Sequence, residues 1–316
     1  MRLGIDVMGG DLYPHAPIAG VKRVQPDLGT EVEIVLVGQE EVIKAELEQQ
    51  GLASFNYPIV HAAEVVGMSE HPAKAIQGKP NSSISVGLDL VKSGQLDGFI
   101  SMGNTGAMTA GAVLKLGLMP GLARPTIGAF YPKSGQYSLI ADVGLNTDCK
   151  PEQLQQFALL GSVFMQTVMH VERPRVALLN VGEEKSKGNQ AAQQAYALLE
   201  ADPRIHFIGN AEGRDLEAGK ADVYICDGFT GNILLKFAES LYHFMHQKLP
   251  NDPDVEALNF EAIGGLPLLG VGGVVMVGHG ISGPEAYRNV ILRAAEVVRT
   301  GLIGQLQATF TGALAQ

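Results

Sequence analysis

Cysteine is nearly absent from this chain: only Cys149 and Cys226 occur in 316 residues. Two cysteines so far apart do not make the disulfide framework of a small secreted domain, and they point to a reducing, cytoplasmic setting. Tryptophan is missing altogether, and charged residues make up only 18% of the chain. Positive charge is the scarcer sign. There are 23 Lys and Arg against 33 Asp and Glu, a net charge of −10, which argues against non-specific nucleic-acid binding. From Leu249 through Tyr287 there is no Lys or Arg at all. No apolar run approaches the roughly 20 residues of a membrane span. Asp6 interrupts the first apolar stretch, so no signal peptide is legible.

What is abundant is glycine, 39 residues, in a chain that is 46% hydrophobic. That length and composition suit one large α/β domain or two lobes with a sizeable core. Apolar strands alternate with helical stretches. Leu3–Met8, Ile34–Val37, Asp97–Met102, Arg175–Asn180, Val223–Cys226 and Val274–Val277 read as strands, and Thr126–Tyr131 with Tyr137–Asp142 reads as a hairpin about Lys133–Ser134–Gly135. Glu40–Gln50, Ile84–Val91, Ala107–Leu116, a helix opened by Pro151, a helix from Ile233 and Pro284–Thr300 read as helices. Nearly every strand ends in Gly with Asn, Asp, Thr or Lys. This alternation predicts an α/β fold with a largely parallel sheet. We see no fixed-period repeat, and the only plausible break between packed elements is Asn251–Asp252–Pro253–Asp254.

Two junctions stand out. Phe99–Ile100–Ser101–Met102 runs into Gly103–Asn104–Thr105–Gly106 and then a helix; Val223–Tyr224–Ile225–Cys226 runs into Asp227–Gly228–Phe229–Thr230–Gly231–Asn232 and another helix. Such junctions lie at the carboxyl ends of strands, where open α/β sheets bind ligands. They also expose unpaired N–H groups at helix N-termini, which suit anions. Together they predict a site for one small anionic group, although Gly, Asn and Thr also serve ordinary turns. Lys185 and Lys187, beside Gly188–Asn189, are either a solvated turn or a cationic clamp on phosphate or an oxyanion. His279, between two glycines, is a phosphate partner, a general acid or a structural residue. Asp6, Asp11, Asp142, Asp148 and Asp227 are caps, turn formers or orienting groups. No His/Cys ligand spacing supports a metal.

Other motifs are set aside. Gly278–His279–Gly280–Ile281–Ser282–Gly283 is a literal dinucleotide fingerprint, but no acidic residue follows at the end of a second strand. Gly213 to Gly219–Lys220–Ala221 has the wrong spacing for a P-loop and lacks its Ser or Thr. Cys226 lies in an apolar strand and reads as a small buried hydrophobe, as does Cys149, rather than as an acyl-carrying nucleophile. Gly264–Val277 reads as a buried strand with a tight turn or as a slot for an acyl chain.

The chain resembles the bacterial phosphate acyltransferases of glycerophospholipid synthesis, the PlsX family. The resemblance is carried by Asp6–Val7–Met8–Gly9–Gly10–Asp11, Asn81–Ser82–Ser83, Gly103–Asn104–Thr105–Gly106–Ala107, Asp148–Cys149–Lys150–Pro151, Leu179–Asn180–Val181–Gly182–Glu183–Glu184, Lys187–Gly188–Asn189, Gly209–Asn210–Ala211–Glu212–Gly213–Arg214–Asp215, Cys226–Asp227–Gly228–Phe229–Thr230–Gly231–Asn232 and Pro267–Leu268–Leu269–Gly270, in the family's order. It implies a Rossmann-like three-layer α/β/α fold related to phosphotransacetylases and isopropylmalate-type dehydrogenases. It also implies one acyltransferase domain over residues 1–316, with a short helical excursion near 233–262.

The reaction so implied moves a fatty acyl group from acyl carrier protein to inorganic phosphate, without cofactor, metal or covalent enzyme intermediate. The implied setting is a cytoplasmic homodimer in weak peripheral contact with the membrane, feeding a glycerol-3-phosphate acyltransferase. Catalytic roles are then expected of Lys187, Asn104, Asp227 and His279. Substrate contacts are expected of Asp6, Gly9, Gly10, Asp11, Gly103, Thr105, Gly106, Asn146, Lys185, Asn189, Thr230, Gly231 and Asn232. Two stretches depart from the family pattern. Gln77–Gly78–Lys79–Pro80 replaces a basic run, and Leu249–Gly264 is short and acidic. Carrier-protein docking then falls to Arg288, Arg293 and Arg299, extended by Lys236 and Lys248, or to the loop around Lys74 and Lys79. Arg288 and Arg299, 11 residues apart, share a helical face to within about 20°. The alternatives are a dehydrogenase of the related fold and a non-catalytic acyl- or anion-binding protein.

Overall fold

The structure is a computed structural model, which describes residues 1–133, 136–259 and 264–312. The chain opens with β1 (Arg2–Asp6), α1 (His15–Val24), β2 (Glu33–Gly38), α2 (Glu40–Gln49), β3 (Ile59–His61), α3 (Pro72–Gly78), α4 (Ser83–Lys92), β4 (Gly98–Ser101) and α5 (Thr105–Leu116). It continues through β5 (Gly128–Lys133), β6 (Gln136–Ala141), α6 (Pro151–Thr167), β7 (Arg175–Leu179), α7 (Gln190–Ala201), β8 (His206–Ala211), β9 (Val223–Ile225), α8 (Gly228–Lys248) and α9 (Pro253–Glu256). It closes with β10 (Leu266–Pro267), β11 (Val274–Val277), α10 (Pro284–Arg299) and α11 (Leu302–Thr311).

These elements form two compact units, each with its own sheet. The first takes in the described residues of Met1–Met119 and Glu261–Ile303, the second those of Pro120–Phe260 and Gly304–Gln316. In the first unit the strand order is β10-β11-β4-β1-β2-β3, parallel except for the β10–β11 edge pair. Both β4 and β11 are buried along their whole length, as strands covered on both faces must be. Helices α1 and α10 pack so closely that a Cβ on Gly20 would lie 2.2 Å from Tyr287 Cβ. In the second unit the order is β5-β6-β9-β7-β8, parallel except for β5–β6. The β5–β6 pair is the expected hairpin, although Ser134 and Gly135 of its turn lie outside the described residues. Helix α6, opened by Pro151, buries Leu154, Phe157, Ala158, Gly161, Phe164 and Met165.

Element starts differ from the sequence reading for one recurrent reason, side-chain capping. Helix α5 begins at Thr105 rather than Ala107 because Asn104 Oδ1 accepts the Ala107 N–H at 3.0 Å. Helix α8 begins at Gly228 rather than Ile233 because Asp227 accepts the Thr230 N–H at 2.7 Å. Strand β1 stops at Asp6, short of Met8, where the Asp6 carboxylate accepts the Met8 N–H at 3.0 Å and turns the chain. The stretch 264–277 goes to the core: β10 pairs with β11, and Leu268, Leu269 and Val271 are buried. Among the described residues no helix is long and apolar enough to cross a membrane.

Candidate active site

Each sheet has one place where successive connections leave in opposite directions, and ligands of open α/β sheets bind there. In the first unit it lies between β1 and β4. The loops after these strands carry Gly9, Gly10, Asp11, Gly103, Asn104, Thr105 and Gly106. Here the polar groups satisfy one another. Ser101 Oγ donates to Asp6 Oδ2 at 2.6 Å and accepts the Gly103 N–H at 3.0 Å. Burial raises the Asp6 pKa against opposing hydrogen bonds from Ser101, Ser83 and the backbone of Met8 and Gly9. A Cβ on Gly9 would sit 2.6 Å from Asp6 Oδ2 and 2.9 Å from the Gly103 nitrogen, so only glycine lets the two loops meet. The Asn104 amide donates to the carbonyls of Gly67, Met68 and Glu70 at 3.2, 3.1 and 3.0 Å. The Asn104 amide nitrogen is therefore engaged with the 67–70 segment while its oxygen caps α5. Asp11 N donates to the Gly280 carbonyl at 2.7 Å, which places His279 beside this loop.

In the second unit the reversal lies between β7 and β9. A cavity of about 390 Å³ opens at the carboxyl ends of these strands. The first turns of three helices reach it: Leu154 of α6, Ala191 and Ala192 of α7 behind the Asn189 cap, and Thr230 of α8 behind the Asp227 cap. First-turn N–H groups have no intrahelical acceptor, and helix N-termini carry partial positive charge. The Asn189 cap takes only the Ala192 N–H, at 2.8 Å. Asn180, at the end of β7, holds the following loop by donating to the Lys187 carbonyl at 3.2 Å.

Asp142 fixes the loop that leads into the lining residues Asp148 and Cys149. It is buried, and its carboxylate accepts hydrogen bonds from Thr126 Oγ1 (3.1 Å), Gly144 N (2.8 Å), Leu145 N (2.7 Å) and Asn146 Nδ2 (2.6 Å). Burial nonetheless raises its pKa. The loop so fixed presents the Asn146 carbonyl to Gly228 N at 2.7 Å and the Val143 carbonyl to Asn232 Nδ2 at 3.2 Å, which seats the start of α8. A Cβ on Gly231 would lie 1.9 Å from the Asp142 carbonyl oxygen, so that helix start requires glycine. Cys149 and Cys226 line the cavity as buried thiols. Burial, with the Asp142 charge, pushes Cys149 up to about 12, and burial raises Cys226 well above its ordinary value. Neither is a thiolate at neutral pH.

Of the residues expected from the sequence, Asn189, Asp227 and Thr230 line this cavity. Asn146, Gly231 and Asn232 support it from behind. Lys187 is exposed on the β7–α7 loop, and its side chain packs near Gly182. Lys185 turns away: it pairs with Glu200 and lies 5.4 Å from the centre of the Tyr196 ring. Asp148 and Asn180 line the cavity without having been expected as substrate contacts; both stood in the family-like motifs, which was the available signal. Among the described residues, no group of three or more His, Cys, Asp or Glu is placed to hold a metal ion. Two of the arginines expected to dock a partner are tied up. Arg288 pairs with Asp27 and Glu285, and Arg299 with Glu31 and Glu296.

Residues 1–254 match the family described as "Fatty acid synthesis protein". A phosphate acyltransferase from Syntrophomonas wolfei is 45% identical over 314 residues, covering 97% of this chain and 98% of its own. One from Gloeothece citriformis is 41% identical, with 97% and 93% covered. Among solved structures, a phosphotransacetylase from Streptococcus pyogenes superposes with a TM-score of 0.66 at 21% identity, covering 95% of this chain and 94% of that one. A branched-chain phosphotransacylase from Enterococcus faecalis gives 0.64 at 16%, covering 94% and 99%. These likenesses establish a shared fold.

Proposed function

The chain belongs to the fatty acid synthesis protein family, whose curated relatives are named phosphate acyltransferases, and on that premise we propose that it transfers a fatty acyl group from an acyl carrier protein thioester to inorganic phosphate. The observation that carries this reading is the second-unit cavity, which first-turn residues of three helices line and which combines buried apolar groups with exposed polar ones. A phosphate oxygen attacks the thioester carbonyl carbon, a C–O bond forms, and the C–S bond breaks as negative charge passes from the carbonyl oxygen to sulfur. The thiolate then takes a proton from solvent. A thiolate is a good leaving group, so the protein's task is to position phosphate and stabilise charge. Lys187 and the first-turn N–H groups of α7 supply that stabilisation, while Asp227, Thr230 and Asn232 order the facing helix start. Within the first unit, we assign catalytic roles to Asn104 and His279 and substrate contacts to the loops of Asp6–Asp11 and Gly103–Gly106. No cofactor enters this scheme.

The carrier protein is acidic and must find local positive charge on a chain of net −10. With Arg288 and Arg299 paired, we assign docking to the exposed Arg124, Lys150 and Lys187, on segments beside the cavity. Helix α8 exposes Phe229, Ile233, Phe237, Leu241 and Phe244, three or four residues apart, as one apolar stripe. We assign this stripe to a homodimer interface, in a cytoplasmic enzyme in weak peripheral contact with the membrane and feeding a glycerol-3-phosphate acyltransferase. The test is incubation with acyl carrier protein thioester and phosphate, with hydroxylamine present to trap acyl phosphate as hydroxamate. Hydroxamate that depends on phosphate supports the reading. Nicotinamide reduction with a hydroxy acid would instead mark a dehydrogenase, and acyl binding without turnover a binding protein.

A further inference from the structure

The second-unit cavity is graded in polarity from bottom to top. Its floor is Cys149, Leu154, Leu178 and Cys226, each no more than 7% exposed. Both thiols are uncharged at neutral pH, and a neutral buried Cys behaves as a small hydrophobe. Its mouth is Asp148, Asn180, Asn189, Asp227 and Thr230. Among the described residues no Lys, Arg or His lines it; the charged lining groups are the two aspartates. A phosphate dianion gains nothing from such a floor, whereas an alkyl chain gains about fourfold in affinity for each methylene buried.

Resting on the acyl-transfer reading above, we propose that this cavity holds the carbonyl-proximal methylenes of the acyl chain and that its floor sets the chain-length preference. The thioester carbonyl stays at the polar mouth, beside the α7 N-terminus and the Lys187 loop. Phosphate approaches there and never enters the floor. A cavity of about 150 Å³ accommodates six-carbon benzene. The 390 Å³ here therefore hold on the order of a dozen carbon-sized atoms. Chains beyond about ten carbons extend past the enclosed part and gain little more.

The experiment is a profile of kcat/KM against chain length, using saturated acyl carrier protein thioesters of increasing length. Wild type is compared with Leu154→Ala, which deepens the floor, and Ala191→Phe, which fills the cavity from the partly exposed first turn of α7. In wild type, kcat/KM rises about fourfold per methylene and levels off near about ten carbons. Leu154→Ala moves the plateau toward longer chains and Ala191→Phe toward shorter ones. General loss of structure cannot move the plateau in opposite directions. If Leu154→Ala does not fold, Ala191→Phe decides alone. A plateau unmoved in the folded variants overturns the inference while leaving acyl transfer standing. Absence of acyl phosphate from wild type with every donor overturns the acyl-transfer reading itself.

Discussion

Replacing Asp222 by asparagine should destabilise the second unit in a pH-dependent way, through a buried charge network away from the cavity. Lys133 Nζ lies 2.5 Å from Asp222 Oδ1, and the two side chains are 8% and 9% exposed. Arg175 adds its Nε at 3.1 Å, its Nη2 at 3.1 Å and its backbone N–H at 2.7 Å. Burial alone would raise the Asp222 carboxyl, but hydrogen bonds from Arg175 and Lys133 outweigh it and hold the pKa down from 3.8 to about 2. A depression of nearly two units corresponds to roughly 2 kcal/mol of folding stability. A neutral amide at this position would also leave the Lys133 ammonium buried without its counter-charge, and removing one partner of a buried pair costs about 3–5 kcal/mol. Asp222→Asn should therefore lose about 2–4 kcal/mol at neutral pH, read by urea unfolding. Because the folded pKa lies below the unfolded one, the contribution of Asp222 is complete above about pH 4 and fades as pH falls through about 2. The gap between wild type and variant should narrow over that window. A gap that stays constant into acid, or one below about 0.5 kcal/mol at neutral pH, would refute the reasoning.

Lys187→Ala should lower turnover about 10²–10³-fold, as loss of one oxyanion donor does, while the melting temperature stays unchanged because the side chain is exposed. Equal turnover in the folded variant would remove Lys187 from the mechanism. The Cys149→Ala/Cys226→Ala double variant should retain substantial activity, and mass spectrometry of wild type under turnover should find no acyl-enzyme, since burial raises both thiol pKa values. An acyl thioester on either residue would reverse that assignment. Phe237→Asp, on the most exposed large residue of the α8 stripe at 66%, should shift sedimentation from dimer to monomer; an unchanged dimer would place the interface elsewhere.

The sequence made the strand-end junctions legible because their grammar is local. A short apolar run, a Gly and a capping Asn or Asp announce β4–α5 and β9–α8, and the Asn104 and Asp227 caps are in place. Burial of the cysteines was legible for the same reason, from the apolar neighbours of Cys226. Distribution of the strands between two sheets was not, since pairing of β6 with β9 joins residues more than eighty positions apart and no local pattern encodes it. Lys185 and Lys187 look alike in sequence. Only the fold reveals that Glu200, a turn and a helix later, captures Lys185. Arg288 and Arg299 likewise looked available until helix packing brought Asp27 and Glu31 beside them. Asp148 passed as a cap, turn former or orienting group and Asn180 as a strand end, because their role depends on which loops meet at the cavity.

The central claim is that phosphate itself accepts the acyl group. Phosphorus-31 NMR of wild-type enzyme with acyl carrier protein thioester and phosphate, followed alongside titration of released carrier thiol, tests it most directly. The account predicts an acyl phosphate resonance that grows in step with thiol release, one for one, and no thiol release when phosphate is omitted. Thiol release without acyl phosphate, at the same rate with or without phosphate, would show water to be the acceptor and contradict the account.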